Sequence, residues 1–168
     1  GSLVEPERTR FDFSHDKAVT PDEIRRIEDM VNTAIRANAQ VSANVMKYDD
    51  AIKAGALAFF GDKYGDEVRV LAMGDHSTEL CGGTHCRSTG QIGGFVITGE
   101  RSIGSGQRRI EAVTGAAADD LVRRRLDTLD RVAAAVGAQS IDAVEDRITV
   151  LQDELRETDI ADYALDAL

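Results

Sequence analysis

No stretch of this chain approaches the roughly 20 consecutive apolar residues of a membrane-spanning helix. The start has no basic segment followed by an apolar one, so neither a membrane span nor a secretory leader is expected. Only two cysteines occur among the 168 residues. Cys81 and Cys86 lie close together in glycine-rich sequence, a poor spacing for a disulfide framework, and a reducing cytoplasm is the expected setting. Basic residues are the minority, 20 against 30 acidic, giving a formal net charge of -10. That balance alone argues against a phosphate-rich partner, which Lys and Arg would have to hold. Its distribution softens the argument: residues 1–115 carry 14 basic and 17 acidic side chains, whereas residues 116–168 carry 6 and 13. With the acidity concentrated in the tail, local groups such as Arg101, Arg108 and Arg109 could still meet a phosphate.

What is present is ordinary globular composition, 42% hydrophobic and 30% charged, in a length that fits one domain or a small domain with an appendage. Thr20-Pro21-Asp22-Glu23 is a helix start: Thr20 can cap, Pro21 suits the first helical position and Glu23 completes a capping box. Ile24, Ile27, Val31, Ala34 and Ile35 then recur at helical spacing to about Asn38. Thr9 to Phe13 reads as a strand with Phe11 and Phe13 on one face and Arg10 and Asp12 on the other. Val41, Ala43 and Val45 alternate in the same way, and a short helix follows from about Asp49 to Gly55. Glu67 to Met73, entered through a turn at Tyr64-Gly65-Asp66, reads as a strand, as do Gly93 to Ser102 and Gln107 to Val113. Strands and helices mix without a regular β and α alternation, which points to an α+β fold with a mixed, largely antiparallel sheet and packed helices.

From Ala116 the pattern becomes continuously helical. Val122, Leu129, Val132 and Val136 form one apolar seam, Gly137 can end the helix, and Ser140 can cap another with a seam at Val144, Ile148, Leu151 and Leu155. Residues 116–168 are therefore expected to form a helical hairpin or coiled-coil linker. Folding back would bury both seams within one chain, and weak homodimerisation is the alternative way to cover them.

The segment richest in chemistry is Thr78-Glu79-Leu80-Cys81-Gly82-Gly83-Thr84-His85. A thiolate and an imidazole four positions apart can reach one zinc ion, and two glycines let the backbone turn tightly between them. One Cys and one His are half a zinc site, and the same residues also fit a buried thiol beside a loop histidine. His15 and His76 have no helical ligand spacing, and His76 reads as a solvated side chain. Cys86, directly after His85, reads as a small packing residue. Thr84 could meet a substrate or satisfy its own turn. Gly104-Ser105-Gly106 ahead of Arg108 and Arg109 admits either a phosphate cradle or a hairpin turn with one arginine solvated and one paired to an acid.

Leu3-Val4, Arg10-Phe11-Asp12-Phe13-Ser14-His15, the stretch Ser77 to His85, and Arg108-Arg109-Ile110-Glu111-Ala112-Val113-Thr114-Gly115 occur in this order. In that order they resemble the carboxy-terminal part of the editing domain of alanyl-tRNA synthetases, over about residues 1–115. The resemblance implies a partial tRNA-editing domain followed by the start of a helical region. It implies Cys81 and His85 as two zinc ligands, completed by a His-x-x-x-His helix expected ahead of Gly1, since no such spacing occurs in this chain. It further implies hydrolysis of Ser-tRNA(Ala) and Gly-tRNA(Ala), contact with the tRNA(Ala) 3′ end, and a whole protein that ligates alanine to tRNA with ATP. The part seen here is expected to be inactive alone. Arg108 and Arg109 rank first among candidate tRNA contacts, and no catalytic residue is assigned. A free-standing alanyl-tRNA editing hydrolase and a non-catalytic RNA-binding or scaffold module are the alternatives.

Overall fold

The computed structural model describes residues 1–59 and 64–165, with side chains described through residue 158. Among the described residues seven strands and four α-helices run in the order β1 (Ser2–Val4), β2 (Thr9–Ser14), α1 (Pro21–Arg36), β3 (Val41–Lys47), α2 (Tyr48–Lys53), β4 (Glu67–Met73), β5 (Ser77–Leu80), β6 (Phe95–Gly104), β7 (Gln107–Thr114), α3 (Gly115–Val136) and α4 (Val144–Leu165). The expected α+β class holds. Two antiparallel sheets share the strands, one in the order β1-β2-β7-β6 and one in the order β3-β4-β5. By compactness the chain divides into one unit of Gly1–Asp119 and another of Asp120–Leu168.

In the first unit α1 starts where its capping box sets it: Thr20 Oγ1 accepts from the Glu23 amide at 3.3 Å and Glu23 Oε2 accepts from the Thr20 amide at 2.8 Å. These two bonds satisfy donors that a helix start otherwise leaves open. The helix also completes the outer edge of the four-stranded sheet. Glu28 accepts from the Ile97 amide at 2.6 Å, while Asn32 accepts from the Phe95 amide at 2.9 Å and donates to the Phe95 carbonyl at 2.8 Å. Two helix side chains one turn apart thus take the place of a further strand along β6, which blunts an edge that would otherwise template aggregation. Close approach of backbone fixes one glycine pair: a Cβ on Gly93, at φ 74°, would lie 2.8 Å from the Cα of Gly115.

The three-stranded sheet has β4 at its centre, and its tight core is small. Ala51, Ala56, Val68, Val70 and Leu80 are buried together, with Met46, Tyr48 and Tyr64 packed against them. Two short strands, β1 and β5, were not expected from the sequence. The second of these matters most, because it carries the chain directly into the Cys-Gly-Gly-Thr-His segment.

The second unit holds most of α3 and all of α4. Gly137, at φ 72°, follows the last residue of α3, as its position predicts. Ser140 has extended backbone but its side chain makes no capping bond; the chain passes through a 3-10 turn at Ile141–Ala143 before α4 begins. Burial centres on Ala133 and Val144, and Arg147 Nε donates to the Val136 carbonyl at 3.1 Å. Elsewhere the expected burial of the seams is not met: Val122, Leu129, Val132, Ile148 and Leu155 are all exposed, Leu155 to 66%. No helix among the described residues is long and apolar enough to cross a membrane.

Candidate metal-binding loop

Strand β4 pairs with β5 in the register Val70↔Leu80, Leu71↔Glu79, Ala72↔Thr78 and Met73↔Ser77. A tight connection through Gly74, at φ 57°, joins the two strands. The hairpin was legible in principle from Gly74-Asp75 ahead of a short alternating run. Leu57 secures the other side of β5, its amide donating to the Thr78 carbonyl and its carbonyl accepting from the Leu80 amide, both at 2.9 Å. Leu80 is 1% exposed, so the last strand residue is anchored in the core and Cys81 emerges at a defined place.

There the two expected ligands meet. Cys81 Sγ and His85 Nε2 are 3.3 Å apart, the thiol half-buried and the imidazole exposed. Zinc bound tetrahedrally at about 2.3 Å from sulfur and about 2.0 Å from nitrogen sets those two atoms roughly 3.5 Å apart, so the pair has the span of two ligands on one ion. Gly83 keeps the approach open: a Cβ there would stand 3.5 Å from Cys81 Sγ and 3.9 Å from His85 Nε2. Among the described residues, however, no group of three or more His, Cys, Asp and Glu side chains is arranged to hold a metal. The pair alone is two donors, fewer than the three or four protein ligands that a stable zinc site uses. His76 is exposed in the β4–β5 turn, as expected. His15 lies against Phe13 at 6.3 Å between ring centroids and lines a separate cavity of about 260 Å³ with Phe13, Val19, Glu23, Arg26, Ile27 and Met30. Cys86 is exposed rather than packed, because the chain from Thr84 to Arg87 runs outside any strand or helix. Thr84 is exposed beside the pair.

The two candidate RNA-contacting arginines follow a hairpin, since Ser105-Gly106 is the turn between β6 and β7, with Gly106 at φ 63°. Adjacent on β7, they project to opposite faces of the sheet. Arg108 donates twice to Glu100, at 2.5 and 2.6 Å, and Arg109 donates twice to Asp12, at 2.6 and 2.9 Å. Both guanidinium groups are thus paired with an acid, where one had been expected in solvent. The hydrogen bonds from Arg109 hold the Asp12 carboxyl below its ordinary range, and those from Arg108 do the same for Glu100; both arginines are raised in turn. Arg101 pairs with Glu111 at 2.9 Å and stays half-exposed, and Arg8 reaches the same glutamate at 3.5 Å.

Residues 68–111, which run from β4 through the Cys81–His85 loop into β7, match the family described as the threonyl and alanyl tRNA synthetase second additional domain. The chain is 53% identical over 154 residues to an alanine--tRNA ligase of Paramagnetospirillum magneticum, covering 88% of this chain and 18% of that protein. It is 47% identical over 180 residues to the alanine--tRNA ligase of Shewanella loihica, covering 99% of this chain and 21% of that one. The counterpart in Nitrosomonas europaea is 54% identical over 136 residues, covering 81% and 16%. The chain spans about a fifth of the length of the curated relatives it matches. The chain matches a segment of alanine--tRNA ligases that includes this second additional domain.

Proposed function

We propose that this segment supplies half of a zinc site at which the whole ligase hydrolyses tRNA(Ala) carrying the wrong amino acid, serine or glycine. The observation that carries the reading is the convergence of Cys81 Sγ and His85 Nε2 at 3.3 Å at the end of β5, inside the matched stretch 68–111. A binding pocket discriminates weakly between side chains that differ by one small group, so a second, hydrolytic site meets a physical need. Bound zinc would polarise the ester carbonyl, activate a water or anchor the aminoacyl group. The contribution of this chain is to present a thiolate and an imidazole from a loop anchored by Leu80, with Gly83 leaving space over both donors.

The tRNA 3′ end is the proposed partner. Arg109 shares its sheet face with Arg10 and Arg101, which supports contact there with a phosphate, for which Arg109 would have to exchange Asp12 and Arg108 would have to exchange Glu100. The whole protein is assigned to the cytoplasm, with alanine ligation as its other activity, and the segment alone is expected to be inactive. Deacylation of Ser-tRNA(Ala) by the full-length protein with Cys81→Ala tests the reading: the variant should clear the mischarged tRNA far more slowly, and unchanged clearance would refute a role for the pair. A non-catalytic RNA-binding or scaffold role is the second reading, favoured by the missing third ligand among the described residues. It predicts that unchanged clearance.

A further inference from the structure

Arg69 stands one residue before Val70, whose partner across the sheet is Leu80. Continuing that register sets Arg69 opposite Cys81, and the Cys81 amide does donate to the Arg69 carbonyl at 3.2 Å. Strand β5 has ended by then, and the backbone turns through Gly82 and Gly83 outside regular structure. Packing does little there: a Cβ on Gly82 would meet nothing within 4 Å. Two consecutive glycines have wide backbone freedom, so left to themselves they would let the residues on either side drift apart.

The side chain of Arg69 opposes that drift. Its Nη1 donates to the Cys81 carbonyl at 3.0 Å and to the Gly83 carbonyl at 2.7 Å. One nitrogen thereby ties together the carbonyls on both sides of Gly82, through bonds that a formal charge strengthens to about twice the neutral kind. The clamp is rigidly based, because β4 is the central strand of its sheet and the neighbours of Arg69, Val68 and Val70, are buried in the core. Among the described residues no carboxylate pairs with this guanidinium. The charge is directed to the loop instead.

We propose that Arg69 is the positioning residue of the Cys81–His85 pair, holding the loop so that thiol and imidazole converge. The purpose of that convergence rests on the zinc reading above; the positioning itself does not. Arg69→Met keeps the apolar stem and removes every donor, and Arg69→Lys restores a charged donor. In this chain two measurements follow the loop: the nuclear Overhauser contact between the His85 ring and the Cys81 methylene, and the ¹⁵N heteronuclear values of Gly82 to His85. In the full-length protein, zinc titrated against a chelator gives the affinity. The methionine variant should lose the contact, gain loop mobility and bind zinc about 10- to 100-fold more weakly, as loss of a supporting group around a metal site does. The lysine variant should recover part of each. A methionine variant with the wild-type contact and mobility overturns the proposal. Arg69→Gln is read in the same way should the methionine variant not fold, and failure of both to fold would assign Arg69 to the sheet and also overturn it. A full-length wild type that holds no zinc would refute the zinc reading, while the loop measurements still judge Arg69.

Discussion

Thr89 gives the fold its sharpest single-residue test. It is 7% exposed and joins the end of α1 to the segment that follows the Cys81–His85 loop. Its hydroxyl donates to the Ala34 carbonyl at 2.8 Å and accepts from the Ala39 amide at 3.0 Å, while its own amide donates to the Ala39 carbonyl at 2.9 Å. Ala34 is among the last four residues of α1, whose carbonyls have no partner within the helix. Thr89→Val is nearly isosteric and replaces the hydroxyl with a methyl, leaving one half-buried donor and one half-buried acceptor without this partner. At about 1 to 3 kcal/mol for each group so stranded, and allowing for partial relaxation, the loss should be about 2 to 4 kcal/mol. Thr89→Ser keeps both bonds and gives up one methyl, about 0.8 kcal/mol. For a unit of this size, roughly 4 °C of melting temperature accompanies each kcal/mol, so the valine variant should melt about 8 to 16 °C lower and the serine variant about 3 °C lower. Circular dichroism melts and urea midpoints give the order, and amide exchange gives the location, since the Ala39 amide should lose protection in the valine variant alone. Valine equal to or better than serine would show that the hydroxyl is not holding the helix end.

Three further outcomes follow. Asp12 and Glu100 have carboxyl groups held below their ordinary values by Arg109 and Arg108, so their contribution is complete above the unfolded values of about 3.9 and 4.3 and is lost as pH falls through the lower folded values. Urea midpoints should drop steeply below about pH 4, and Asp12→Asn should lower the neutral-pH midpoint while flattening the acid limb; a parallel acid limb would refute the pairing. Zinc content after dialysis should be well below one equivalent for this chain, since stable sites use three or four protein ligands and two converge here; a tightly held equivalent would show that the missing ligands are present. The exposed Val122, Leu126, Leu129 and Val132 on α3 should cause weak self-association. Its strength by light scattering should rise with salt, which screens the acidic tail, and Leu129→Lys should abolish it; a strictly monomeric mass at high concentration would count against the seam.

Structure set by local signals was legible in the sequence, and structure set by a remote partner was not. The start of α1 was legible because a capping box lies within four residues, and the long strands were legible because alternation repeats along them. Strand β1 has only three residues and β5 only four, too few for a period to register. Spacing drew attention to Cys81 and His85 but equally fitted a buried thiol beside a loop histidine; only the resemblance named them as ligands, and neither signal shows that their atoms converge.

The arginines show the limit most clearly. Arg108 and Arg109 are adjacent in sequence and similar in chemistry, and nothing near them distinguishes one from the other. Their fates are decided by Glu100 across the hairpin and by Asp12, which lies 97 positions away. Arg69 carried no motif at all, but register sets it against Cys81 and its side chain spans the glycines that follow. A cation in a sequence has no function until the fold determines which oxygens it reaches. Here that choice separates an arginine bound to an acid from one bound to the backbone of the loop that presents the Cys81–His85 pair.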